Sequence, residues 1–371
     1  MCYAIPGKVR EIQGKTVVVD YFGELKKAHN EIDELRIGDY IYAQGGYVIE
    51  RIGVTEAEEI LAVWKETFFE LQEVDVRLSR LDFEKSGLER RFGMILDQAM
   101  EGIAPAKEDL LYLLRFEDAR HEELLFKTAN FIRQKYLKNS CCVHGILEIS
   151  NYCRSRCHYC GISLHNASIQ RYRMSVDEIV ESACEAVRQY GFKALVLQSG
   201  EDGAYRIDEL SQVIRTIKAK APALICVSFG EIGIEGLAEL YEAGARGVLM
   251  RFETSNRALY QKLHSGDSLE TRLDHIRAAY EMGFLVMTGG LIGLPGQTLE
   301  DRVDDLYLAR ELHAEMYSFG PFLPHPDTPL GGVQPVVEAD VLKMIAAGRL
   351  IDASGSRILI TTAFETLSPE A

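Results

Sequence analysis

Three thiols in one short stretch, Cys153-Arg-Ser-Arg-Cys157-His-Tyr-Cys160, stand at the spacing C-x3-C-x2-C. Three cysteine thiolates can hold three irons of a 4Fe–4S cube. The fourth iron is then left without a protein ligand. An open iron beside an aromatic, Tyr159, suits a small bidentate ligand that also carries a flat ring. The amino and carboxylate groups of S-adenosylmethionine (SAM) meet that description, and the chemistry would be one-electron cleavage of its sulfonium. Two blander readings compete. A structural zinc usually takes four protein ligands, and this stretch offers three thiols plus His158 or His165. A disulfide is disfavoured in a chain with no secretory signal. The spacing, with an aromatic before the last cysteine, favours the cluster.

Other residue types along the chain could serve the same chemistry. In Gln198-Ser-Gly-Glu-Asp202, Ser199 can donate or accept a hydrogen bond and Gly200 permits close backbone approach. Arg251 and Glu253 alternate with apolar Met250 and Phe252. In a barrel strand alternate side chains face inward, where charges are costly unless paired or bound to a ligand. Arg272, taken by itself, reads as a solvated helix charge. His325 and Asp327 lie among prolines in Pro324-His-Pro-Asp-Thr-Pro329, which reads as a rigid wall or lid before it reads as a catalytic pair.

The elements that must position these groups follow from residue 145 onward. Strand candidates begin near 145, 194, 223, 246, 284, 316 and 357, with helices between. Ser175-Val-Asp-Glu178 is a capping box and Gly191 closes its helix. The alternation predicts a parallel sheet curled into a (β/α) barrel, and barrel enzymes place their sites at the C-terminal ends of strands. The cysteines occupy the loop after the first strand, where an open doubly wound sheet would show a glycine-rich phosphate loop.

Upstream, residues 1–75 form a small unit of their own. Val17-Val-Val-Asp-Tyr21 and Asp39-Tyr-Ile-Tyr42 read as short strands, punctuated by Gly14, Gly23, Gly38 and Gly45-Gly46, in a barrel of OB type. Thr55-Glu-Ala-Glu58 reads as a capping box, followed at helical spacing by Ile60, Leu61, Trp64, Phe68 and Leu71, a core-facing stripe. Residues 76–93 read as a linker. Residues 94–371 hold the barrel with its preceding helices, which are expected to cover the barrel's open bottom.

The 371 residues are 47% hydrophobic, enough for a sizeable core, and the formal net charge is −15. That charge argues against nucleic acid or an anionic membrane surface as partner. No apolar run approaches the roughly 18 residues of a span, and no signal-peptide pattern opens the chain. Of eight cysteines, three cluster and the rest scatter, which suits a reducing cytoplasm.

The cysteine motif resembles that of radical-SAM enzymes. The flanking Glu148-Ile-Ser-Asn151, Arg171-Tyr-Arg-Met174, Gln198-Ser-Gly-Glu-Asp202, Arg251-Phe-Glu-Thr254, Gly293-Leu-Pro-Gly-Gln-Thr298 and Pro321-Phe-Leu-Pro-His-Pro-Asp-Thr-Pro329 narrow the likeness to the HydE family of FeFe-hydrogenase maturases. Biotin synthase and methylornithine synthase are less close. The resemblance implies cluster ligation by Cys153, Cys157 and Cys160. It implies SAM contacts at Tyr159, Gln198, Ser199, Glu253, Arg272 and Pro321. It implies an anionic-substrate pocket of Arg251 with Thr361 and Thr362 at the seventh strand. Cys226 stands where those relatives carry a threonine. The family runs on past residue 371, so the expected barrel lacks its eighth strand.

The opening Met1-Cys-Tyr-Ala-Ile-Pro-Gly-Lys-Val9 and Gly38-Asp-Tyr-Ile-Tyr-Ala-Gln-Gly-Gly-Tyr-Val-Ile49 resemble the HypC/HupF chaperones of NiFe-hydrogenase maturation. In that family Cys2 would carry an iron fragment. The histidine usual in its last-strand motif is Gln44 here, and an amide is a poor substitute for imidazole at a metal. The two resemblances together imply a fused enzyme that cleaves SAM reductively and acts on a small iron- or sulfur-bearing molecule for a hydrogenase cofactor. It would work with hydrogenase maturation proteins and a reductase or ferredoxin as electron donor. A radical-SAM mutase or sulfur-inserting enzyme is the alternative, and an iron–sulfur scaffold or metallochaperone is the non-enzymatic one.

Overall fold

The structure, a computed structural model, describes residues 3–32, 34–81, 89–355, 357–359 and 361–368. Cys2, the expected iron-fragment thiol, lies outside the described residues, as does the middle of the expected linker. No helix among the described residues is long and apolar enough to cross a membrane.

The first five strands are β1 (Gly7–Gln13), β2 (Thr16–Tyr21), β3 (Glu24–His29), β4 (Tyr40–Gln44) and β5 (Tyr47–Ile52). They close into a barrel in the order β1-β2-β3-β5-β4, with β3 and β5 parallel and β1 returning to pair with β4. Closure removes free edges, and this order is that of an OB-type barrel. Alternation drives it: Val17, Val19 and Tyr21 of β2 have no exposed surface, and Tyr3 stacks on Tyr21 at 4.1 Å. β4 and β5 meet at a two-residue turn, Gly45-Gly46, with φ of 57° and 86°. Two positive φ values are the requirement of a type I′ hairpin, which glycine meets without strain.

The helix α1 (Val54–Leu78) follows at once. The expected capping box at Thr55 does not form: Gly53 is the N-cap, no side chain caps the helix, and Thr55 sits within its first turn. β5 runs to Ile52, so one glycine is all the chain leaves for the corner. The expected core stripe is also only partly core. Phe68 is buried and Leu61 packs on the small barrel, whereas Trp64 and Leu71 are exposed.

Three helices come next, α2 (Arg90–Met100), α3 (Lys107–Leu114) and α4 (Ala119–Leu137). They pack chiefly against two later helices, α10 (Leu299–Glu311) and α11 (Glu338–Ile351). Between these run β6 (Gly145–Ser150), α5 (Val176–Arg188), β7 (Ala194–Ser199), α6 (Ile207–Lys220), β8 (Leu224–Ser228), α7 (Ile234–Ala243), β9 (Gly247–Leu249), α8 (Arg257–Leu263), α9 (Leu269–Met282), β10 (Leu285–Thr288) and β11 (Leu291–Ile292). The last elements are β12 (Met316–Tyr317), β13 (Gly320–Pro321), β14 (Arg357–Ile358) and α12 (Thr362–Leu367). Seven strands form one parallel sheet in the order β14-β12-β10-β9-β8-β7-β6, and β11 pairs with β13 beyond its C-terminal edge. Strand starts and connectivity follow the sequence pattern. The seventh strand is shorter than expected: it covers Arg357–Ile358, and Thr361 is already the N-cap of α12.

The floor of the sheet is not covered by α2–α4 as expected. The β4–β5 hairpin takes that place. Tyr47 and Ile49 pack with inward-facing Ala194, Val196, Cys226, Met287 and Met316. Arg246 pairs with Glu31 at 2.9 Å, Lys193 pairs with Glu50, and Lys193 lies over the Tyr42 ring. Arg133 of α4 pairs with Asp75 of α1. Apolar contact and partly buried ion pairs therefore join the two units.

Candidate active site

The loop after β6 carries the three cysteines, and its shape is imposed by its neighbours. Arg171 donates to the backbone carbonyls of Asn151, Ile162 (2.7 Å), Ser163 (2.8 Å) and Asn166 (3.2 Å), so one guanidinium ties both ends of the loop. Ser150 Oγ and the fork of Arg173 both donate to Asp202, which fixes the end of β6 to the end of β7. Gly200 makes that approach possible, since a Cβ there would lie 2.3 Å from Tyr152 O and 2.7 Å from Cys153 Cβ. On the other side, His325 N donates to Tyr159 O and Leu330 N to His158 O. The proline-rich segment thus packs on the cysteine loop as a wall; His325 itself is exposed.

Burial, and then the neighbouring thiols, push the Cys157 thiol well above its ordinary value. Burial also pushes Cys160 up. A metal would displace these protons on binding. Nitrogens lie against two of the sulfurs: Glu201 N donates to Cys153 Sγ at 3.4 Å, and His264 Nδ1 lies 3.3 Å from Cys157 Sγ. The zinc alternative looked to His158 or His165, but the described histidine beside a thiol is His264. Cys157, His264 and Asp267 bring ligand atoms within 4.8 Å of one another. Burial, followed by Arg272 and Arg251, pushes the His264 imidazole down to about 3, so it is neutral.

Arg272 of α9 is no solvated charge. Its side chain is 11% exposed, Nη2 meets Glu201 at 3.2 Å, and Nε donates to Tyr260 OH at 3.1 Å. Glu231 Oε1 lies 3.1 Å from Nε but has no hydrogen-bond partner, and burial pushes its carboxyl up. A cleft of about 220 Å3 opens here, lined by Ser199, Glu201, Tyr205, Phe229 and Glu231 among others.

Arg251 and Glu253 sit just past β9, 3.3 Å apart. Glu253 is buried in a left-handed conformation, φ 68°, uncommon for a side-chain-bearing residue. The backbone is held there: Glu253 N donates to Gly289 O, Leu291 N donates to Glu253 O, and a Cβ on Gly290 would lie 2.5 Å from that same oxygen. Glu253 Oε2 is buried with no partner. A strained residue with an orphaned acceptor beside an arginine is the arrangement expected of a ligand site.

The remaining predicted residues are distributed as follows. Tyr159 OH meets His264 Nε2 at 3.2 Å and its ring edges onto Phe322. Gln198 and Ser199 end β7, half-buried, and Pro321 is buried in β13. Thr361 Oγ1 is buried without a partner beside Gly320, whose missing Cβ makes room for it, whereas Thr362 is exposed. No hydrogen bond among the described residues joins Arg251 to Thr361 or Thr362; its acidic neighbour is Glu253. Thr361 leaves the sheet one turn early because β14 is short. Cys226 lies on the inner face of β8, and burial pushes its thiol up to about 12. Gln44 is buried; its Nε2 donates to Tyr3 O at 3.0 Å and its Oε1 has no partner.

Two contributors escaped the sequence. His264 is a single histidine at a helix end, with no spacing to mark it. Arg171 stood in a flanking motif, but its work on four carbonyls needs the folded loop. Three thiols on one loop, two of them near enough to raise the third, fit an iron–sulfur cube, and the orphaned Glu253 Oε2 beside Arg251 fits a charged, amino-acid-bearing cofactor.

Comparison with known proteins agrees. Residues 147–309 match the Radical SAM superfamily and residues 1–64 match the HupF/HypC family. The [FeFe] hydrogenase maturase subunit HydE of Thermotoga maritima is 41% identical over 263 residues, 71% of this chain and 75% of that protein. The 3-methylornithine synthase of Methanosarcina acetivorans is 31% identical over 263 residues, 70% of this chain and 73% of that protein. A crystal structure of methylornithine synthase superposes with a TM-score of 0.67 at 28% identity, covering 71% of this chain and 78% of that one.

Proposed function

Because the chain belongs to the radical SAM superfamily, as a HydE-like member carrying a HupF/HypC-type barrel, we propose that it is a maturase that cleaves SAM reductively in the assembly of a hydrogenase metal cofactor. The observation that carries the chemistry is the trio of thiols on the loop after β6, with Glu201 N donating to Cys153 Sγ and His264 Nδ1 lying 3.3 Å from Cys157 Sγ. A bound cluster would supply the electron for reductive cleavage of the SAM sulfonium.

The chain's own residues do the rest. Cys153, Cys157 and Cys160 would hold three irons. Arg272, braced by Glu201 and Tyr260, presents a fixed guanidinium for a carboxylate. Glu253 Oε2 offers a buried acceptor for an ammonium or hydroxyl group. Gln198, Ser199, Tyr159 and Pro321 would complete the SAM contacts. Arg251 and Thr361 would take an anionic group of the substrate, and the exposed Thr362 is the weakest member of that set. The wall at 323–333 packs on the cysteine loop and helps exclude water. The substrate is a small iron- or sulfur-bearing molecule, the electron donor a ferredoxin or reductase, and the partners other hydrogenase maturation proteins.

The likeness to 3-methylornithine synthase supports a second reading, a mutase acting on an amino acid. The deciding experiment is anaerobic cluster reconstitution, dithionite reduction and measurement of 5′-deoxyadenosine. Its formation supports the enzyme; its absence in a chain that holds the cluster leaves a scaffold. Restoration of hydrogenase activity in a maturation extract then separates maturase from mutase.

A further inference from the structure

His264 is fixed from every side. It is 2% exposed, its ring stacks on Tyr260 at 4.4 Å and 11°, and its backbone N–H donates to Tyr260 O. A backbone bridge pairs it with Cys157, and His158 N donates to Leu263 O. Its two ring nitrogens have different partners: Nδ1 lies 3.3 Å from Cys157 Sγ and Nε2 lies 3.2 Å from Tyr159 OH. The hydroxyl of half-buried Tyr159 has Nε2 as its partner, and we infer that it donates its hydrogen to that nitrogen. That leaves the hydrogen of a neutral imidazole on Nδ1. A charged imidazole would carry one on Nδ1 as well. In either state an N–H is aimed at the sulfur of Cys157.

We propose that His264 is a positioning residue that donates an N–H···S hydrogen bond to the cluster-ligating sulfur of Cys157, with the Tyr159 hydroxyl fixing its tautomer, and so raises the reduction potential of the cluster. The inference rests on the cluster assignment made above. The physical reason is charge. One-electron reduction adds negative charge to the cube, shared with its sulfurs, and a fixed donor stabilises the reduced form more than the oxidised one. The backbone donor from Glu201 to Cys153 acts in the same sense, but His264 is a side chain and can be exchanged.

The test compares wild type with His264→Phe, His264→Asn and Tyr159→Phe after anaerobic reconstitution. Iron content is measured, and the midpoint of the one-electron cluster couple is followed by EPR during dithionite titration. Phe keeps the stacked ring and removes the donor. It should retain about four irons per chain, with a midpoint lower by tenfold or more in the reduction equilibrium, which is ~59 mV for one electron. Asn can place its amide N–H where Nδ1 stood and should recover most of the shift. Tyr159→Phe frees the tautomer and should move the midpoint the same way by less. If the Phe variant does not fold, the Asn and Tyr159 variants still carry the comparison: a Tyr159→Phe midpoint equal to wild type overturns the proposal. So does an unshifted midpoint in a fully loaded Phe variant. Loss of iron from both His264 variants overturns it too, making His264 a metal ligand with Cys157 and Asp267. Wild type that takes up no cluster sinks the parent assignment, a result visible before any variant is compared.

Discussion

Gly45, at the tip of the small barrel's hairpin, rests against Leu285 at the floor of the parallel sheet. A Cβ on Gly45 would lie 2.5 Å from Leu285 Cδ1 and 2.9 Å from Leu224 Cδ2, and its φ is 57°. Contact and backbone both demand glycine. Gly45→Leu should destabilise the protein by about 2–4 kcal/mol, from overpacking plus a left-handed side-chain-bearing residue. Calorimetry should show one unfolding transition in wild type and two in the variant. Two transitions in wild type would mean that the units are not coupled through this contact.

The thiol assignment makes a loading prediction. Cys157→Ala should abolish the reconstituted cluster and the SAM-induced change in its EPR signal. Arg171→Lys tests the loop's support: lysine replaces a planar fork with a point donor and cannot hold four carbonyls. Cysteine reactivity toward a thiol reagent should rise and iron content fall. Full iron in Cys157→Ala would refute the assignment.

Arg251→Leu removes a guanidinium from the Glu253 pair. Substrate-dependent turnover should weaken by about 1.5–3 kcal/mol, the usual worth of one charged hydrogen bond. SAM affinity should change less. An equal fall in both, read by equilibrium binding and kinetics, would move Arg251 to the cofactor site.

Asp305 is 1% exposed, accepts hydrogen bonds from Ser255 and Gln297, and is pushed up to about 7 by burial. The folded state therefore holds a proton that the unfolded state releases near pH 4. Stability from this group is full below about pH 4 and declines as pH rises to about 7. In Asp305→Asn that part of the decline should vanish, as read by urea unfolding at pH 5 and pH 8. An identical pH profile in the variant would show that Asp305 is not the group responsible.

Much of the scaffold was legible. Gly145–Ser150, Ala194–Ser199 and their successors are short apolar runs between helical periodicities, and the cysteine spacing announces its own chemistry. What was hidden depends on long-range contact. Arg272 looks solvated until Glu201 and Tyr260 close over it. His264 acquires meaning only when α8 brings it to Cys157. Thr361 was set at the seventh strand by its match to a family pair, yet the sheet ends at Ile358 and the chain turns into a helix. Thr55 matched a capping pattern that the corner at Gly53 pre-empted. In each case local propensity lost to the geometry of the whole.

The hairpin beneath the sheet also determines how the fused unit can travel. A carrier module on a flexible tether samples a volume and visits partners on its own. Here the small barrel is seated under Leu224 and Leu285 and held by Arg246–Glu31 and Lys193–Glu50. It diffuses and rotates with the catalytic barrel as one particle. A protein that docks on the small barrel meets the larger one in a set orientation, with the two always present one to one.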